Sequence, residues 1–108
     1  MPKVTIDNDL LSLVAKLSAL RIATPKKNPN YKNITELYIK ASDDQTKAID
    51  KAIDAADKDY QEFAAGMKEA IKAINDALKD IEKVAETIKI VAKVVDLAGK
   101  IVNAVAAV

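Results

Sequence analysis

From Ile53 to Val105 the chain reads IDAADKDYQEFAAGMKEAIKAINDALKDIEKVAETIKIVAKVVDLAGKIVNAV. Every seventh residue of this stretch is apolar: Ile53, Tyr60, Met67, Ile74, Ile81, Ile88, Val95 and Val102. Three positions further on, each time, stand Ala56, Phe63, Ala70, Ala77, Val84, Val91, Ala98 and Val105, again apolar. Residues recurring in steps of three and four share one side of a 3.6-residue helix, so the pattern predicts an a/d seam packed against other helices. Ala64, Ile71, Leu78, Ala85 and Ala92 widen that stripe, whereas Lys51, Lys58, Lys72, Lys79, Glu86, Lys93 and Lys100 mark a solvated opposite face. An all-α fold follows.

The seam leaves two arrangements open. One uninterrupted helix over residues 43–105 would be about 95 Å long, and the unbroken heptad phase favours such a coiled-coil-like rod. Ordinary helices are far shorter, which favours a hairpin broken near 66 or 75, where Gly66 and Asn75-Asp76 weaken the helix. The end of the segment differs from its start. Ile90, Val94, Leu97, Ile101 and Val108 flank the seam in residues 88–108, and a helix apolar on so many sides seeks burial on several of them.

Upstream, residues 7–22 form a first helix, with Leu10, Leu13, Val14, Leu17 and Leu20 at helical spacing and Asp7 or Asn8 as cap. Thr24-Pro25 ends it, because proline disfavours helical geometry in the residue before it. Residues 23–32 make a basic loop dense in turn formers. Asn33-Ile34-Thr35-Glu36 resembles a capping box that opens a short helix over 33–41, and Ser42-Asp43-Asp44-Gln45 resembles a second one. The whole, residues 1–108, is expected to be a single helical domain: a small bundle with a long amphipathic C-terminal segment.

Composition narrows the chemistry. Half of the 108 residues are hydrophobic but 4% are aromatic, so the core is aliphatic, with Phe63, Tyr60 and Tyr38 as packing residues. The chain has no Cys and no His, which removes disulfides, thiol nucleophiles, the usual neutral-pH base and most transition-metal ligands. Two glycines cannot build a phosphate-cradling loop. Asp50, Asp54 and Asp57 would lie on adjacent turns of one helix face, where a solvated acidic surface explains them without a cation. Asp7-Asn8-Asp9 lacks the Gly and closing Glu of a calcium loop. No catalytic, cofactor or metal residues are expected, and no enzyme.

Net charge is +1, yet residues 1–41 are basic and residues 42–62 acidic, so the two regions either pair with each other or face separate partners. Arg21, Lys26, Lys27 and Lys32, with Tyr31 among them, form a candidate loop for an anionic partner, although so few charges disfavour nucleic acid. No run of about 18 uncharged apolar residues occurs, so a soluble chain without a spanning helix is expected. Leu10–Leu20 follows Asp7 and Asp9 and contains Lys16, unlike a secretory signal.

These features point to a non-catalytic interaction or assembly module, oligomeric or part of a complex, that meets itself or another helical protein. The expected contact residues are those of the seam: Ile53, Tyr60, Phe63, Met67, Ile74, Ile81, Ile88 and Val95. The alternative is a membrane-active small helical protein, pore-forming or toxin-component-like, that meets a membrane surface through residues 88–108. Lys89, Lys93 and Lys100 are spaced there as in cationic amphipathic helices.

Overall fold

A computed structural model describes residues 3–106, with side chains through residue 104. Its elements in chain order are β1 (Lys3–Val4), α1 (Asp7–Ala23), α2 (Asn30–Ala48), β2 (Ile53–Asp54), α3 (Lys58–Lys79), a single 3-10 turn over Ile81–Lys83, and α4 (Val84–Ala106). The helices form an all-α four-helix bundle measuring 45 × 21 × 17 Å, far too short for the rod. Its radius of gyration is 13.9 Å, against about 13 Å for a compact chain of this length.

Each helix touches two neighbours. α1 packs on α2 and α3, and α4 packs on α3 and α2. Two hairpins, α1–α2 and α3–α4, are therefore laid side by side. Val4 pairs with Ile53 and Lys3 with Asp54 in a two-stranded antiparallel ladder. That ladder ties the chain entering α1 to the chain entering α3, so both helices start from the same end and run in the same direction.

The seam is buried as its spacing requires except at Ala56, which lies in the turn before α3 and is exposed, as are Leu78 and Ala85 of the widened stripe. Phe63, Met67, Ala70, Ile74, Ala77, Val84, Val91, Val95, Ala98 and Val102 all lie in the core, joined by Leu10, Leu13, Leu17 and Leu20 of α1 and by Ile34 and Leu37 of α2. Tyr60, Ile81 and Ile88 are half-buried against it. At about 0.8 kcal/mol per buried methylene, this aliphatic cluster is the main source of stability. Val105 and Val108 lie outside the residues whose side chains are described.

The helical segment predicted over 43–105 is interrupted twice. Its first part belongs to α2, which runs unbroken through Ser42. Thr46 Oγ1 donates to the Ser42 carbonyl at 3.1 Å, a mid-helix bond, so Ser42 caps nothing. α2 also starts earlier than the predicted 33, because the Asn28 side chain accepts a bond from the Asn30 N–H at 2.9 Å and Pro29 already has helical angles. Asn33 is thus inside the helix, and the loop shrinks to residues 24–29. After Ala48 the chain leaves helical geometry, and Ile53, the first seam residue, is buried from a strand and not from a helix. Asp54 and Asp57 do not share a helix face. The Asp54 carboxylate accepts from the Ala56 N–H at 2.9 Å, and Asp57 caps α3 by accepting from the Tyr60 N–H at 3.1 Å.

The second interruption is at Asp80, not near 66 or 75. Asp80 has extended angles (φ −144°, ψ 100°), its N–H still donates to the Asp76 carbonyl, and its carboxylate accepts from the Glu82 N–H at 3.1 Å. One residue thus ends α3 and caps the turn leading into α4. Heptad phase survives because Ala77 and Val84, seven residues apart across the turn, must both face the same core. Gly66 serves close packing instead of a break: a Cβ there would stand 2.9 Å from Val94 Cγ2. Asn75 is inside α3, where its Oδ1 accepts from Lys16 Nζ of α1 at 2.9 Å. At the N-terminus of α1 the cap position is Ile6, with no side-chain bond, so neither Asp7 nor Asn8 caps it.

Candidate interaction surface

Burial of the seam takes the predicted contact residues out of reach. Ile53, Phe63, Met67, Ile74 and Val95 are core, and Tyr60, Ile81 and Ile88 pack at its margin. These eight side chains meet helices of their own chain. Residues 88–104 are likewise the inner wall of the bundle: Val91, Val94, Val95, Ala98, Ile101 and Val102 are buried, and Ile90 and Leu97 are half-buried. Lys89, Lys93 and Lys100 point outward, and Lys100 Nζ lies 3.5 Å from Asp59 of α3. Contact with lipid through this segment would require α4 to leave the core. No helix among the described residues is long and apolar enough to cross a membrane.

Most of the apolar surface that stays exposed lies elsewhere, Leu78 of α3 (37% exposed) aside. Leu11 is 54% exposed, Ile22 82%, Ile39 52% and Ile49 51%. The first two are on α1, Ile39 is on α2, and Ile49 is at the end of α2. In α1, Leu11, Ala15, Ser18 and Ile22 follow steps of four, three and four, which stacks them on one side of the helix. The four charged residues of α1 sit on its flanks. Asp9 and Lys16 fall on the α3 side, Asp7 is half-buried at the first turn, and Arg21 turns toward α2. The outward side of α1 therefore has no charge along its whole length. Beside it on α2, the uncharged Thr35, Ile39, Ser42 and Thr46 continue the face. A solvent-facing helix usually carries charge there, and the outer side of α1 carries none.

Arg21 is held down at one end of this face. Its Nε donates to Thr35 Oγ1 at 3.1 Å, and the guanidinium carbon lies 5.5 Å from the centre of the Tyr31 ring and 6.0 Å from that of Tyr38. Cation–π contact with two rings leaves this charge partly masked, which separates Arg21 from Lys26, Lys27 and Lys32, all exposed. The four residues predicted as an anionic-partner loop are thus split between one structural arginine and three solvated lysines. They occupy the end of the bundle opposite the acidic residues around Asp50 and Asp54, so the basic and acidic regions do not pair within the chain.

A shallow groove between α2 and α4 is lined by Lys40, Asp44, Asp96 and Gly99, among others. Burial raises the Asp44 carboxyl above its ordinary range, and Asp43 and Asp96 push it the same way, while Lys47 and Lys40 oppose them. The Asp9 carboxyl is raised by burial and by Asp7. No cluster of three or more metal-ligating side chains occurs among the described residues. Sequence reading missed the α1–α2 face because the residues that make it are off the heptad seam. The available signal was the confinement of charge in residues 7–23 to the helix flanks. Compared with known protein families, curated proteins and solved structures, the chain matches none of them.

Proposed function

We propose that this chain is a non-catalytic helical interaction module that engages a protein through the outward face of α1 and α2. The observation that carries the reading is the placement of Leu11, Ile22, Ile39 and Ile49, exposed together on a surface with no charge on its α1 side. The heptad seam supplies the scaffold, and the contact surface is a different one. The lack of His and Cys supports a non-catalytic role. So do the assignments of Asp54, Asp57 and Asp80, which close turns and cap helices.

Site-specific photo-crosslinking in expressing cells tests this. A photoreactive residue at Ala19, on the outer side of α1, should give a discrete protein adduct. The same residue at Lys72, on the solvated side of α3, should give none. Equal labelling from both positions, or lipid adducts from Ala19, would overturn the reading.

A further inference from the structure

We infer that Asp80 is a switch between two closed forms of the same core. With its carboxylate in place α4 folds back on its own α3; without it α3 and α4 run on as one helix, and two chains exchange α4. The inference does not depend on what meets the α1–α2 face. The link between α3 and α4 is already close to helical. Asp80 alone is extended, Ile81–Lys83 form a 3-10 turn, and Val84 has helical angles. None of these residues is glycine or proline and none has a positive φ, so nothing in the turn is barred from a helix. Bringing Asp80 to helical angles straightens the chain. The seven-residue phase from Ala77 to Val84 then sets both apolar stripes on one side of a continuous helix. From Lys58 to Ala106 that helix is about 73 Å long.

Three contacts fix how α3 lies against α4. Lys100 Nζ is 3.5 Å from Asp59, a Cβ on Gly66 would stand 2.9 Å from Val94 Cγ2, and Thr87 Oγ1 donates to the Ala73 carbonyl at 3.1 Å. Gly66 and Ala73 are one heptad apart, as are Val94 and Thr87, and the next step of seven on either helix arrives at Asp80. In an exchanged pair these contacts are all kept, now between chains, and the two-fold axis passes beside Asp80 of both. α1 and α2 keep their places, α1 on its own α3 and α2 on the incoming α4, so each half rebuilds the core of the monomer. Ile81, half-buried, and Leu78, exposed, stand at the tip of the hairpin and come to lie at the joint, where the second copy covers them. Charge opposes the exchange. The two Asp80 carboxylates come face to face in the very row where Gly66 lets the helices approach. Asp80 thus holds the monomer closed twice, by accepting from the Glu82 N–H at 3.1 Å and by repelling its own copy across the axis. Each half retains its α1 and α2, so the exchanged dimer displays two α1–α2 faces.

The full chain and its variants are unfolded in urea, refolded over a concentration series and weighed by sedimentation equilibrium, with circular dichroism to follow the helices. Asp80→Ala should pass from 11.7 kDa to twice that mass. Its dimerisation should be about 100-fold tighter than that of wild type, since two caps and a like-charged pair are removed and alanine favours the helix. Asp80→Gly loses the same carboxylate but favours the bend over the helix, so it should stay monomeric. Exchange itself is read with Asp59→Cys and Lys100→Cys, added together to either background and joined by a short bifunctional maleimide. The link should close within one chain in the wild-type background and between two chains in Asp80→Ala, where a denaturing gel shows a covalent dimer. An Asp80→Ala chain that stays monomeric, a dimer whose link remains within the chain, or equal dimerisation of Asp80→Gly would overturn the inference.

Discussion

Gly66→Ala should destabilise the bundle, although alanine is the better helix former. Within a helix the change is worth about 0.8–1.0 kcal/mol in alanine's favour. Against it stands the added methyl, 2.9 Å from Val94 Cγ2, well inside ordinary carbon–carbon contact. Val94 is buried and β-branched, with essentially one side-chain rotamer open to it in a helix, so it cannot swing aside. Relief requires α3 and α4 to part, and overpacking of this kind costs about 1–3 kcal/mol. The net loss is about 1 kcal/mol, a fall in melting temperature of about 4 °C for a chain of this size. Urea and thermal unfolding followed at 222 nm would measure it. The decisive comparison is made in a Val94→Ala background, itself destabilised by about 2–3 kcal/mol through lost methyl groups and the cavity left behind. There the obstruction is gone, and Gly66→Ala should stabilise by up to about 1 kcal/mol. Stabilisation of equal size in both backgrounds would refute the close approach of the two helices at this point.

Gly99→Ala should behave oppositely, raising stability by about 0.5–1 kcal/mol in the same assays, because its Cβ would meet Asp44 Oδ2 at an ordinary 3.5 Å. Asp44→Asn should stabilise the protein at neutral pH. The folded-state carboxyl, raised above 3.8 by burial first and by Asp43 and Asp96 next, holds its proton more readily than the unfolded one. Wild-type stability therefore declines as pH rises through that raised value, and the advantage of the Asn variant over wild type should shrink toward zero as pH falls below it; urea titrations at several pH values would show this. Ile74→Asp, in the fully buried seam, should cost several kcal/mol and unfold the chain or nearly so, whereas Lys72→Asp on the exposed side should cost about 0.5 kcal/mol or less by thermal melting. Asp57→Ala should cost about 1 kcal/mol in urea unfolding by removing the cap that Tyr60 N–H uses at the start of α3.

What could be read directly from the residues was the part governed by periodicity. The burial of Phe63, Met67, Ile74, Val84, Val91 and Val95 follows from spacing alone, as does the burial of Leu10, Leu13, Leu17 and Leu20. The boundaries were less legible, for reasons that differ from place to place. Ile53 keeps the seven-residue phase yet lies in a strand, since its partner is Val4, almost fifty positions away, and local pattern does not encode such a pairing. Ser42 and Asn33 match capping boxes but sit inside α2, where the burial of Leu37 and Ala41 holds the helix through both. The bend at Asp80 has no glycine or proline to mark it. Its signature is subtler: a lysine closing one helix at position 79, an aspartate whose carboxylate turns onto the next two residues, and Glu82 opening the next helix, charges that suit helix ends.

The uncharged outer face of α1 was illegible for another reason. Spacing identifies which residues a helix buries against its own chain, but the absence of charge on the remaining side stands out only once the neighbours are known. In α1, Lys16 reaches Asn75 of α3 and Arg21 reaches Thr35 of α2. Only then is it evident that Leu11, Ala15 and Ile22 face neither helix.

The Asp80 hinge also bears on how many chains one core contains. Because the seam keeps its phase from Ala77 to Val84, the hydrophobic pattern is satisfied equally by a folded-back hairpin and by a straightened helix. A straightened chain would present the stripe of α4 to the open α3 of a neighbour, and the same core would then close between two molecules by exchange of that helix. What selects the closed monomeric core is one extended residue, its carboxylate on the Glu82 N–H, and the proximity of α3 and α4 along a single chain. The seam specifies what is buried; Asp80 specifies whose helix does the burying.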